Sequence, residues 1–162
     1  MNEYLGLLIG ILIVIVVILV VSFLSFKHFK TNKTILNDSK NVLNKYGQLI
    51  YKKPYYEYEL NGEKYLLTFF YAPTKAKVKF NSMLIWEKRT SYQTDLENMM
   101  SFSTQKGKKI VIIYPNEGPY MYHYDEREIL FTKPYQPIWE MHVVGYHELE
   151  EALEKGFKKW VF

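Results

Sequence analysis

The pattern of apolar and polar positions divides the chain into an N-terminal apolar run and a longer mixed remainder. The run from Leu5 to Phe26 contains no charged residue, and its only polar side chains are Ser22 and Ser25. At about 1.5 Å per residue such a helix would be roughly 33 Å long, enough to cross a hydrocarbon core of about 30 Å. The pattern therefore predicts a transmembrane helix over residues 5–26.

A cleaved secretory signal peptide is the alternative interpretation of this run. A signal peptide has a basic segment, a shorter apolar stretch and small residues at its cleavage site, and the sequence shows none of these. Lys27, Lys30 and Lys33 follow the run, whereas no basic side chain precedes it. Because cytoplasmic flanks of membrane helices collect lysine, we expect a single-pass protein of the cell membrane. Residues 1–4 would then be extracytoplasmic and the C-terminal domain cytoplasmic.

Two further features concern the bilayer. Gly6 and Gly10 form a G-x-x-x-G pattern, which lets two membrane helices approach closely and predicts a homodimer through this helix. An ordinary lipid-facing helix is the alternative. The three lysines of the basic linker, residues 27–33, are predicted to lie at the membrane surface, where each contributes about 1 kcal/mol with anionic headgroups.

The clearest element after the linker is a β-hairpin. Asn61-Gly62 is a strong signal for a type I′ turn, and it lies between two alternating stretches. Pairing about this turn sets Leu60 against Glu63 and Tyr58 against Tyr65. We therefore predict two antiparallel strands with one buried face.

The remaining pattern predicts one α+β domain over residues 34–162, with a mainly antiparallel sheet of about five or six strands and about three helices. The Asn61-Gly62 hairpin and the next strand would form an antiparallel meander, and Val143-Val144 a further short strand. The other predicted elements are a first helix capped by Thr31 or Asn32 and ended by Gly47, a strand Lys77–Lys88, a helix between Ser91 and Gly107, a buried strand over 110–114, a hairpin over 120–132, and a last helix from His147 to Val161 with Leu149, Leu153, Phe157 and Trp160 buried.

Charge and composition narrow the classes of partner. The chain has no cysteine and a net charge of +4. The totals of 21 basic and 17 acidic residues include three lysines and one glutamate of the first 33 residues, which leaves 18 and 16 for the domain. A nearly neutral domain is not typical of a nucleic-acid-binding protein. The absence of cysteine excludes disulfides and thiolate metal sites, and no motif indicates a cofactor.

Candidate chemistry begins with the α-β-β-β-α-β order, which resembles the core of the restriction-endonuclease-like nucleases. That resemblance implies an acidic residue near the second strand and an E-x-K on the third, which together bind a divalent metal. Glu87 matches the glutamate, but Arg89 stands at the lysine position and the second strand carries no acid. Glu87 is therefore the one candidate catalytic residue, in a degenerate membrane-tethered hydrolase or nuclease.

Two other sets of residues are candidate sites. Glu140, His142 and His147 lie close in sequence and are candidate metal ligands, although their spacing matches no known ligand pattern and ordinary structural roles are the alternative. The chain has 15 tyrosines, and Tyr55, Tyr56, Glu57 and Tyr58 are candidates for a protein-binding surface. Tyrosine offers apolar area together with a polar group, which suits interfaces and also half-buried sheet faces.

These observations favour a single-pass membrane protein whose domain binds a protein or the membrane surface. The composition, rich in Lys, Asn, Ile and Tyr with one N-terminal apolar helix, resembles that of small membrane proteins of low-GC bacteria and their prophages. Some of those proteins block infection by other phages, so the resemblance implies an accessory role such as superinfection exclusion. The membrane-tethered hydrolase is the alternative function.

Overall fold

The computed structural model describes residues 2–125 and 127–157. The chain divides into two compact units, residues 1–34 and residues 35–162. Each unit is described by itself below.

The first unit is helical. It lies within helix α1, Asn2–Tyr46, which is long and apolar enough in its first part to cross a membrane. From Leu7 to Phe29 its large apolar side chains are between 48 and 68 % exposed. The helix continues through the predicted linker, and the hydroxyls of Thr31 and Thr34 donate to the carbonyls of Lys27 and Lys30, both at 3.0 Å. The prediction that Thr31 or Asn32 caps a separate helix is therefore wrong.

The second unit is α+β, as predicted, but it contains two mixed sheets of five strands instead of one mainly antiparallel sheet. The first sheet has the order β1-β2-β3-β7-β10 and the second β6-β5-β4-β8-β9. The strands are β1 Gln48–Lys52, β2 Tyr55–Leu60, β3 Glu63–Ala72, β4 Lys77–Phe80, β5 Ile85–Arg89, β6 Thr94–Asn98, β7 Lys109–Pro115, β8 Tyr120–His123, β9 Ile129–Phe131 and β10 Met141–Gly145, and the two further helices are α2 Met100–Ser103 and α3 Leu149–Glu154.

Alternation along β7 shows how the layers stack. Ile110 and Ile112 belong to a core with Leu43 of α1 and the apolar side chains of α3. Val111 and Ile113 point the other way, into a core shared with the second sheet. All four are fully buried. The first sheet is therefore covered on both faces, by helices on one side and by the second sheet on the other.

The hairpin prediction is confirmed in detail. Asn61 and Gly62 have φ of 52° and 80°, as a type I′ turn requires. The register pairs Leu60 with Glu63 and Tyr58 with Tyr65. The buried strand over 110–114 is also confirmed, as β7, and it pairs in parallel with both β3 and β10.

Three predictions about the middle of the chain were wrong: the extent of one strand, the meander and the extent of one helix. The strand Lys77–Lys88 is two strands, because the Ser82 hydroxyl accepts the N–H groups of Leu84 and Ile85 and fixes a turn between β4 and β5. Those strands pair with each other in the second sheet, and therefore do not extend a meander from the hairpin. The predicted helix after Ser91 is mostly strand β6, leaving only the short α2.

The ends of the domain also differ from expectation. Strand β1 was not predicted, and it extends the hairpin by pairing with β2. The last helix follows a 3-10 turn, Tyr146–Glu148, and ends at Glu154, so the predicted extent from His147 to Val161 is wrong at both ends. Leu149, Leu153 and Phe157 are buried as predicted, whereas the predicted residues Trp160 and Val161 lie outside the described residues.

Gly47 ends α1 at a place where no side chain would fit. Its N–H donates to the Leu43 carbonyl at 2.9 Å. A Cβ at this position would lie 2.1 Å from the carbonyl oxygen of Glu59, so the close approach of helix and hairpin requires glycine.

The crossing between the two sheets is held by one buried asparagine. Asn116 is 1 % exposed, and its Nδ2 donates to the carbonyls of Pro73 and Ala76, each at 2.7 Å. Its Oδ1 accepts the N–H of Gly118 at 2.9 Å. The segment from β3 to β4 is thereby tied to the segment from β7 to β8.

Candidate functional site

The tyrosine-rich stretch of β2 is more buried than an interface would be. Tyr58 is 1 % exposed, and its hydroxyl donates to the Leu43 carbonyl at 3.0 Å. Burial raises the pKa of Tyr58 to about 12. Tyr58 therefore joins the hairpin to α1, and its polar group is already used within the domain.

The other three candidates of this stretch are partly exposed. Tyr55 packs against Phe102 in the core between the sheets. The ring of Tyr56 meets Phe69 edge to face, with centroids 5.4 Å apart. Glu57 forms an ion pair with Lys52 at 2.8 Å. Their accessible parts stay available to a partner, so their proposed role in protein binding remains a prediction.

The most exposed tyrosines of the second unit lie elsewhere. Tyr92 is 99 % exposed, Tyr124 67 % and Tyr51 60 %. Tyr92 is at the tip of the β5-β6 hairpin. From sequence alone these tyrosines could not be separated from the buried ones, because the strand pairing that decides exposure was not known.

Glu87 lies on β5 and is partly exposed. Its Oε2 accepts a hydrogen bond from Asn81 Nδ2 at 2.9 Å, and the facing residue on β4 is Lys79. Arg89 lies two residues along the same strand. Glu87 is thus surrounded by an amide and cations, and its catalytic role stays a prediction.

His142 and His147 have separate surroundings. His142 Nδ1 lies 2.8 Å from the Pro134 carbonyl, and its ring packs on Phe157 with centroids 4.7 Å apart. Burial lowers the pKa of His142. His147 lies in the 3-10 turn, with Nε2 3.7 Å from Glu148. Glu140 is exposed, with φ of 65°.

No group of three or more histidines and carboxylates that could hold a metal ion occurs among the described residues. The structure therefore does not bring Glu140, His142 and His147 together as a metal site. In the first unit, a Cβ on Gly6 or Gly10 would meet nothing within 4 Å, so the face carrying the G-x-x-x-G pattern is open. Lys27, Lys30 and Lys33 are all exposed.

Comparison of the chain with protein-family models, with curated proteins and with solved structures gives no match. The functional argument therefore rests on the geometry of this chain alone.

The geometry reveals a surface that sequence reasoning missed, the outward face of the second sheet. One row of facing residues crosses all five strands: Leu96, Glu87, Lys79, Met121 and Phe131. The opposite face of the same strands carries Val78, Phe80, Trp86 and Tyr122, which are buried against the first sheet. We call the side with Lys79 the outer face. Alternation of charged and apolar residues in β4 is a signal for it, but only the pairing assembles the five strands.

One end of the outer face is cationic. Lys77 on β4 faces Arg89 on β5 directly across the strand pair. These residues and Lys75 line an open cavity of about 540 Å³ whose other lining residues, from 90 to 94, are uncharged. Like charges in directly opposed positions destabilise a sheet. This arrangement can bind an anionic group, which would offset that repulsion.

Proposed function

We propose that this chain is a single-pass membrane protein whose folded domain acts in the cytoplasm as a binding module for a protein or a membrane surface. The observation that carries the proposal is the exposure of the apolar part of α1. Its large side chains are about half exposed or more over more than five turns, and they have no polar residue among them except two serines. In water this would be an exposed apolar surface of a kind that soluble proteins avoid, whereas in lipid it is the expected one.

The distribution of charge supports the orientation. Lys27, Lys30 and Lys33 are exposed on the helix directly after the apolar run, and residues 1–4 carry one acid and no basic side chain. Lysine near a membrane helix favours the cytoplasmic side. The folded domain, which follows these lysines, would then be cytoplasmic.

Binding is favoured over catalysis by the kinds of surface that the domain presents. The candidate catalytic carboxylate, Glu87, is hydrogen-bonded to Asn81 and lies beside cations. The outer face of the second sheet, in contrast, exposes apolar and cationic side chains together on a rigid scaffold. Such a face is suited to association with a second surface.

A topology experiment tests the proposal. A cytosolic reporter and an exported reporter are each fused after Phe162, and membranes are extracted at alkaline pH. We expect the protein to remain in the membrane pellet and only the cytosolic reporter to be active. Release into the supernatant would contradict the span, and activity of the exported reporter alone would contradict the orientation.

A charge-exchanged variant provides the matched control. Lysines are placed at positions 2 and 3 (N2K/E3K) and removed after the helix (K27Q/K30Q/K33Q) without changing the apolar run. If the flanking lysines set the orientation, this variant should shift activity toward the exported reporter. An unchanged orientation would show that the lysines do not determine it.

A further inference from the structure

The described residues of the second unit cover the second sheet on one face only. Its inner side chains, including Val78, Phe80 and Trp86, are fully buried in the core between the sheets. Within residues 35–125 and 127–157, no helix or strand packs on the outer face, and the apolar clusters of the domain lie elsewhere. Because this face is a regular five-stranded surface, the side chains that it exposes determine which kind of partner it can contact.

Apolar side chains are exposed toward both edges of the outer face. Leu96 on β6 is 63 % exposed, and Ile129 and Phe131 on β9 are 49 and 60 % exposed. Tyr92, at the tip of the β5-β6 hairpin, is almost completely exposed. Bulky apolar groups and an accessible tyrosine ring are the side chains that enter the headgroup region of a bilayer.

Cations occupy the strands of this face between the apolar edges. Lys77, Lys79 and Arg89 point to the outer side, and none of them forms an ion pair with a described residue. Among the strand residues of the face Glu87 is the only acid, and Asn81 hydrogen-bonds it. The face is therefore net cationic in a domain whose total charge is nearly balanced.

We propose that the outer face of the second sheet docks on the surface of an anionic lipid bilayer, with Lys77, Lys79 and Arg89 binding phosphate-bearing headgroups. The combination of three cations with separated apolar side chains matches a charged interface above hydrocarbon, whereas a protein partner would require a continuous apolar centre. The inference rests on the proposed function, in which the helix anchors the domain to a membrane. It adds that the domain binds the lipid surface and that the outer face makes the contact.

The test uses the full chain in a non-ionic amphipol, which keeps the apolar helix in solution whether or not that helix spans a membrane in the cell. Sedimenting vesicles of phosphatidylcholine, alone or with phosphatidylglycerol, are added, and the fraction of protein pelleted is measured. We expect capture only by the anionic vesicles. The variant K77Q/K79Q/R89Q should bind them about 100-fold more weakly, because each cation at an anionic surface contributes roughly fivefold.

Two further variants distinguish binding through the outer face from a general effect of the protein's net charge. K53Q/K64Q/K106Q removes the same number of charges from exposed positions away from the outer face and should change capture less than threefold. L96Q/F131Q keeps every charge and should weaken capture about tenfold through lost apolar burial. The melting temperature of each variant is measured, and because these side chains lie outside the core we expect none of the variants to melt below the wild type.

Other results would overturn the proposal. These are equal capture by neutral and anionic vesicles, or equal loss of capture in the two charge-removal variants. Release from the vesicles when inorganic phosphate replaces chloride at equal ionic strength would assign the cations to free phosphate instead of a lipid. Release by a short RNA, lost in K77Q/K79Q/R89Q, would assign them to nucleic acid. Failure of the alkaline-extraction test would leave these outcomes unaffected, so the two proposals fail separately.

Discussion

Replacing Asn116 by alanine should lower the free energy of unfolding of the domain by about 3 kcal/mol. The Asn116 side chain makes three short hydrogen bonds, to the Pro73 and Ala76 carbonyls at 2.7 Å and from the Gly118 N–H at 2.9 Å. Each such bond contributes about 1 kcal/mol net, and a buried group left without its partner costs as much or more. Because the residue is 1 % exposed, water cannot easily replace the lost amide.

Replacement of Asn116 by aspartate is a sharper test, because it keeps the shape of the side chain and replaces the amide donor by a carboxylate oxygen, which accepts hydrogen bonds. An ionised carboxylate has no N–H to donate, so an oxygen would face the carbonyls of Pro73 and Ala76. The pKa of this buried carboxyl would be raised above its unfolded value of about 3.9. The loss relative to wild type should therefore be smallest below about pH 4 and should grow as the pH rises toward 7.

The assay is urea unfolding of the full chain in neutral detergent, followed by tryptophan fluorescence, since Trp86 is fully buried in the core between the sheets. Asn37→Asp makes the same chemical change at an exposed position and should stay within about 0.5 kcal/mol at every pH. The reasoning would be refuted if Asn116→Ala also stayed within that range. It would equally be refuted if Asn116→Asp lost the same stability at pH 4 and pH 7.

Two further substitutions test the core and the outer face. Leu67→Ala removes a fully buried side chain from the helix-side core and should cost about 2 to 5 kcal/mol in the same urea assay, whereas a cost below about 1 kcal/mol would mean that the site collapses without a cavity. Lys77→Glu places an acid opposite Arg89 and should raise stability by about 0.2 to 1 kcal/mol while weakening capture by anionic vesicles, and a lower melting temperature would show that the facing cations do not repel.

The parts of the fold that were predictable are those in which one local signal is sufficient. Asn61-Gly62 determines both the turn and the register of its hairpin, because only a few residue types adopt positive φ at both positions. The apolar run of β7 identified a strand buried on both faces. In α3, the acidic residues Glu150 and Glu151 lie in the first turn and Leu149 and Leu153 are buried, as predicted, but the helix ends at Glu154 without a basic residue in its last turn.

The predictions of secondary structure were wrong where the apolar residues of one segment fit both a helical and a strand period. Leu96, Met99 and Met100 suit a helix, but Leu96 pairs with Glu87 on β5, and Glu97 forms an ion pair with Lys88 across the same strands. Tertiary pairing overrode the local pattern here. The division into two sheets was not predictable for a related reason, since β3 and β4 are consecutive in sequence but the buried Asn116 holds the turn that separates them.

The candidate sites show the same dependence on pairing. Adjacent tyrosines of β2 look equivalent in sequence, yet Tyr58 is buried against α1 while Tyr55 faces the other sheet. Lys77, Lys79 and Arg89 lie up to twelve positions apart, and only the β4-β5 register places them on one face. Charge counted along the chain therefore concealed a cationic surface within a nearly neutral domain.

The edges of the second sheet favour docking through its face over addition of another strand. Edge strand β9 has only three residues, and edge strand β6 carries Asp95 and Glu97. Short edges and charged edges are the features by which sheets resist pairing with a further chain. The exposed Phe131 and Leu96 therefore lie on strands that are poor templates for strand addition, while their side chains remain accessible on the outer face. A partner that needs no backbone pairing, as a lipid surface does not, fits this arrangement better than a second copy added edge to edge.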